Sequence, residues 1–220
     1  MSEWVLLFIE IVGTVAFAVS GAMVGLGRKM DIFGVAILGL VTAVGGGVIR
    51  DLVLGNTPPV TFRNPSFALV AVAVSILVFL PFVRRVFLRM HRLYELMILI
   101  MDSLGLGIFT VMGIQTAYAA GHRGFFLLVF VGVITGVGGG ILRDVLAGQT
   151  PYVFVKHFYA CASIIGASVC VLLWERIGEG LSLAVGAVLV VSLRFLAAYF
   201  HWRLPKAEDL EPLENENKKY

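Results

Sequence analysis

Residues 43–59 read AVGGGVIRDLVLGNTPP, and residues 136–152 read GVGGGILRDVLAGQTPY. The two stretches align at a constant offset of 93 residues. Gly45, Gly46 and Gly47 fall on Gly138, Gly139 and Gly140, and Arg50 and Asp51 fall on Arg143 and Asp144. Gly55, Thr57 and Pro58 fall on Gly148, Thr150 and Pro151, and Thr42 falls on Thr135. One residue is gained upstream, so the offset there is 92, matching Glu10 to Asp102, Gly13 to Gly105, Phe17 to Phe109 and Gly21 to Gly113. The chain therefore contains one unit written twice.

The surround of each copy is strongly apolar. Of the 220 residues 59% are hydrophobic and only 14% charged, with a mean hydropathy of +0.95. Soluble domains sit nearer half apolar and a quarter charged, so the composition is that of an integral membrane protein. Seven apolar segments can be marked, at Trp4–Gly27, Ile32–Gly55, Ser66–Val83, Tyr94–Tyr118, Gly124–Ala147, Phe154–Trp174 and Gly180–His201. Each is long enough to cross a hydrocarbon core of about 30 Å. Trp and Tyr fall near their ends, at the depth where such rings are enriched. The start of the chain has no basic run and Glu10 interrupts its apolar stretch, so it reads as a first spanning helix rather than a secretory signal.

Segments 1–3 recur as segments 4–6, which predicts an all-α membrane protein with seven spanning helices. Residues 4–92 form one three-helix repeat, 93–175 the second, 176–202 a seventh helix, and 203–220 a polar, disordered tail. A three-span unit is odd-numbered, so its second copy must enter from the opposite side, and the copies are inverted. Lys and Arg set the orientation. Arg28, Lys29, Arg84, Arg85, Arg89, Arg92, Lys156, Arg203, Lys206, Lys218 and Lys219 collect on one side; Arg63, Arg123 and Arg176 collect on the other. That bias puts the N-terminus outside and the tail in the cytoplasm.

Inverted repeats are a mark of transporters and of some channels, with the site where the copies meet and Gly-interrupted helices pointing to it. Each glycine inside a helix costs about 1 kcal/mol relative to alanine. Three together are expected to kink or unwind segments 2 and 5 where they line a wet path. The competing expectation is close helix packing through small residues, which Gly21/Gly25 and Gly132/Gly136 also suggest.

Six charges lie within apolar segments: Glu10, Arg50, Asp51, Asp102, Arg143 and Asp144. Each costs at least ~2.5 kcal/mol at a lipid-facing midplane position, so they should face inward and pair. Neighbours on a helix point about 100° apart, which argues against Arg50 and Asp51 serving one another. The repeat suggests Glu10–Arg50 and Asp102–Arg143 instead, one pair near each mouth of a central path. Arg194, with no repeat mate, is expected to snorkel.

Enzyme chemistry has no support. GGGVIRD lacks the Lys-Ser/Thr end of a phosphate-binding loop, and neither GxSxG nor HExxH occurs. His91, His122, His157 and His201 are scattered at segment ends without ligand spacing. Cys161 and Cys170 lie on opposite faces of one segment and read as small apolar residues. A net charge of +3 follows from the loop pattern and does not indicate nucleic acid. No catalytic residue, metal site or cofactor is expected, and the partner expected is membrane lipid.

Two three-helix copies, each with GGG-x-x-R-D in its second helix, plus a seventh helix, resemble the bacterial branch of the trimeric intracellular cation channel family. The same domain also carries the name glycine transporter. The resemblance covers Trp4–His201 and implies a homotrimer with a pore in each subunit. That pore would be lined by segments 1, 2, 4 and 5 and pinched where Gly45–Gly47 and Gly138–Gly140 kink segments 2 and 5. It would pass potassium and, less selectively, sodium. The Lys-Glu-Val phrase of animal members is absent, so phosphoinositide regulation does not carry over. Two functions stay open from the residues: a passive cation channel with Thr42, Thr135, Asp51 and Asp144 along its path, or a secondary transporter of a small zwitterion such as glycine. A membrane scaffold is disfavoured by the intramembrane charges.

Overall fold

A computed structural model describes residues 3–83, 91–155 and 158–202. Among these residues all regular structure is helical. The helices are α1 (Glu3–Gly27), α2 (Ile32–Val53), α3 (Val60–Arg63), α4 (Ser66–Phe79), α5 (His91–Ala119), α6 (Phe125–Leu146), α7 (Tyr152–Val155), α8 (Tyr159–Ile177) and α9 (Glu179–Tyr199).

Six of them, α1, α2, α5, α6, α8 and α9, are long and apolar enough to cross a membrane. Helix α4 is shorter, at 14 residues, or about 21 Å; Leu80, ahead of Pro81, is not helical, although residues 81–83 are. Segment 6 also starts later than its composition suggests. Pro151 and the peptide after it begin the separate short helix α7, and α8 opens only after Phe158, whose φ is +43°. Gly178 alone joins α8 to α9.

Helices α1, α2, α5 and α6 form the centre. Helix α1 packs on α2 and α5, and α6 packs on α5 and α2. Helix α4 covers α1 and α2; α8 covers α5 and α6; α9 packs on α5 and α8. The exterior is apolar, and the largely apolar interior also buries polar residues. Trp4, Phe8, Phe33, Leu69, Phe126, Leu181 and Val188 are exposed, while Thr14, Ser20, Thr42, Ser75, Asp102, Thr110, Thr135 and Arg194 are buried. An apolar outside suits lipid, and buried polar groups such as Thr42, Ser75, Asp102 and Arg143 find partners inside.

The long helices stop in a recurring way. At the end of α2, Gly55 donates to Leu52 O and Asn56 to Asp51 O. At the end of α6, Gly148 donates to Val145 O and Gln149 to Asp144 O. Both glycines have positive φ, +72° and +65°, the left-handed turn that lets these paired bonds close a helix. The tail 203–220 and eight of the basic positions used for orientation (84, 85, 89, 156, 203, 206, 218 and 219) lie outside the described residues.

Candidate functional site

The glycine runs meet at the centre. Both α2 and α6 are helical throughout, from Ile32 to Val53 and from Phe125 to Leu146, so of the expected kink or unwinding the unwinding does not occur. The glycines instead allow backbone contact. A Cβ on Gly46 would run into the carbonyl oxygen of Thr135, and a Cβ on Gly139 into that of Thr42. At Gly138 a Cβ would stand 3.3 Å from the Gly46 Cα. Small residues permit this approach, as in other membrane helix pairs. By contrast, a Cβ on Gly47 would meet nothing nearer than Arg50 Nη2 at 3.8 Å.

Thr42 and Thr135 share one arrangement. Each hydroxyl donates to the carbonyl one turn earlier on its own helix, Leu38 O and Val131 O, both at 2.6 Å. Each packs where Gly21 of α1 or Gly113 of α5 leaves room. Both are buried, so neither lines open space in this conformation. Beside them Phe17 and Phe109 meet with ring centroids 5.2 Å apart. Phe17 fills the hollow at Gly105, and Phe109 lies against Gly13.

The Arg-Asp pairs depart from the helix-wheel argument. Arg50 Nε lies 2.9 Å from Asp51 Oδ1, and Arg143 Nε lies 2.8 Å from Asp144 Oδ1. The arginine stem is long enough to curl across the arc that separates neighbouring Cβ atoms. The second carboxylate oxygen has a different task. Asp51 Oδ2 accepts from the Val60 amide at 2.8 Å, and Asp144 Oδ2 from the Tyr152 amide at 2.7 Å. Each Asp thus ties the end of a central helix to the start of the short helix after it.

The two expected cross-helix pairs differ. Arg143 Nη1 meets Asp102 Oδ1 at 2.6 Å and Ser20 Oγ at 2.6 Å. Arg50 and Glu10 share no hydrogen bond or ion pair, although Glu10 is near enough to feel the Arg50 charge. The sequence accounts for part of this. Met112 stands at the repeat position of Ser20, so α5 offers Arg50 no matching hydroxyl.

Arg194 does not snorkel. It is fully buried, with Nη2 3.8 Å from Asp102 Oδ2 and its guanidinium 4.5 Å from the centre of the Tyr159 ring. Five helices therefore converge on one cluster: α1 (Ser20), α5 (Asp102), α6 (Arg143, Asp144), α8 (Tyr159) and α9 (Arg194). Gln149 extends it to the surface, donating to Asp144 Oδ1 at 2.9 Å and accepting from Arg28 Nη2 at 2.8 Å. Ser20 and Tyr159 carried no sequence signal, because neither is charged or matched by the repeat, and Gln149 stands opposite Asn56 in the repeat but carries no charge. Breaking a buried pair of this kind costs about 3–5 kcal/mol, since the surviving charge is left uncompensated.

An apolar exterior, charged and hydroxyl groups buried in the interior, and six helices of spanning length define an all-helical integral membrane protein. Comparison with known proteins gives the family. The family described as Glycine transporter matches residues 7–82 and 99–175, and the chain belongs to it. The inner membrane protein YadS of Escherichia coli, from the group named UPF0126, is 39% identical over 200 residues, covering 90% of this chain and 94% of that protein. YvgT of Bacillus subtilis is 35% identical over 202 residues, covering 92% and 95%. Among solved structures, the chain is similar to a trimeric intracellular cation channel orthologue from Rhodobacter sphaeroides, with 33% identity, a TM-score of 0.83, and 91% and 100% of the chains covered. A prokaryotic TRIC channel crystallised in 0.5 M KCl gives 31% identity, a TM-score of 0.82, and coverage of 92% and 100%. Channels of this kind from C. elegans are 16% identical with a TM-score of 0.61, a likeness of fold alone.

Proposed function

We propose that the protein is a passive, potassium-permeable cation channel of the bacterial inner membrane. It works as a homotrimer with one path per subunit, between α2 and α6. The observation that carries this reading is likeness over nearly the whole chain to prokaryotic TRIC channels at 31–33% identity. Two family-matched ranges, one on each half, support reading the chain as two inverted three-helix repeats, 4–92 and 93–175, followed by a seventh spanning helix over 176–202. The N-terminus lies outside and the tail in the cytoplasm.

In this conformation the path is shut where Gly46 and Gly139 bring α2 against α6, with the Phe17–Phe109 pair beside the contact. Opening separates the two helices there. Thr42 and Thr135 carbonyls and hydroxyls then become polar groups along the path, the kind of lining a cation pore uses. Arg143 and its carboxylates hold the second half of the bundle together on one side of that contact.

The family's description, Glycine transporter, keeps glycine transport as the second reading. Reconstitution of purified protein into planar bilayers separates the two. Discrete single-channel potassium currents are expected. Saturable glycine uptake without such currents would overturn the channel and favour the transporter.

A further inference from the structure

The two repeats carry equal charge where they match. Glu10, Arg50 and Asp51 sum to one negative charge, and so do Asp102, Arg143 and Asp144. Helix α9 belongs to neither repeat. It packs on α5 and α8, on the second-copy side, and it buries Arg194 against Asp102 and the Tyr159 ring. That guanidinium brings the buried part of the second cluster to neutrality; Arg28, which reaches its rim through Gln149, is exposed and screened by solvent. The first cluster stays negative, and its extra carboxylate, Glu10, is half-buried and joined to Arg50 by no ion pair.

We propose that Arg194 makes the cation path electrically one-sided, so that cations pass more readily from the Glu10 end than from the Asp102 end. The proposal rests on the channel reading above. Glu10 lies about 10 Å along α1 from its start, toward one mouth. A net negative charge beside low-dielectric walls raises the local cation concentration at that mouth. The opposite mouth would offer the same attraction by the repeat, but the α9 cation cancels it. Arg194 does not line the path. It acts through the field of the cluster it neutralises, and is a positioning residue for charge.

The test is single-channel recording in symmetric KCl, with sidedness fixed by a protease-cleavable C-terminal tag. The wild type is expected to carry about twofold more current when potassium is driven from the Glu10 side than at the equal and opposite voltage. Arg194→Gln should bring that ratio close to one, and Arg194→Lys should keep it. Glu10→Gln should also bring it close to one, and it carries the test if Arg194→Gln fails to fold. Raising KCl from about 0.1 M to about 1 M shortens the screening length from about 10 Å to about 3 Å, and should shrink the wild-type ratio. A linear wild type, or an unchanged ratio in Arg194→Gln or Glu10→Gln, overturns the proposal while leaving the channel standing. A wild type without unitary currents overturns the channel itself, and the one-sidedness with it.

Discussion

Arg143 and Arg50 hold matching places in the sequence and unlike places in the molecule. Arg143 spends its donors on Asp102, Ser20 and Asp144, whereas among the described residues Arg50 pairs with Asp51 alone. Asp102→Asn should therefore lower stability by about 3–5 kcal/mol, while Glu10→Gln should stay within about 1 kcal/mol; urea or thermal unfolding in detergent compares the two. The glycines differ among themselves in the same way. Gly46→Ala and Gly139→Ala each drive a methyl into a facing carbonyl, an overpacking that costs about 1–3 kcal/mol. Gly47→Ala meets only Arg50 Nη2, at ordinary contact distance, and should gain up to about 1 kcal/mol from helix propensity. A thermal midpoint that falls equally for all three would mean that the backbone contact is unimportant. The repeat made the charged residues legible, because ionisable groups in apolar segments need partners. It could not reveal Ser20 or Tyr159. Their value lies in where α1 and α8 carry them, and a hydroxyl in an apolar run has no signature of its own.

Helices were legible in proportion to their length. The long apolar runs gave α1, α2, α5, α6 and α9 within a few residues. The four-residue helices α3 and α7 were not foreseen, since each is fixed by a distant Asp carboxylate accepting its first amide, a tertiary contact. Of the kink or unwinding expected at the glycines, the unwinding is absent for a related reason: propensity is local, and packing of α2 on α6 outweighs a cost of about 1 kcal/mol per glycine. Helix ends carry a finer lesson. Helix α1 closes through Lys29, at φ +58°, with Lys29 donating to Leu26 O and Met30 to Gly25 O. The repeat position at the end of α5 is Gly121, at φ +89°, closing by the same pair of bonds. A side chain in the left-handed region costs about 1–2 kcal/mol. Lys29→Gly should accordingly raise stability by about 1 kcal/mol, and Gly121→Lys should lower it by a similar amount, both read as shifts in thermal midpoint.

The molecule as a whole is an apolar-coated bundle whose polar groups are turned inward. The homotrimer proposed above should elute from detergent with a protein mass three times the 23.8 kDa of one chain, by light scattering corrected for bound detergent; a monomer would remove that part of the proposal. The contact at its centre has a further meaning. Gly46 reaches toward Thr135 while Gly139 reaches toward Thr42, and Phe17 touches its own counterpart, Phe109. Reciprocity of this sort, in which i meets j and the mate of j meets the mate of i, is how two identical subunits join about a two-fold axis. The centre of this single chain is thus a self-complementary dimer interface folded into one gene. Either half, made alone, would already possess both sides of the surface needed to bind another copy of itself.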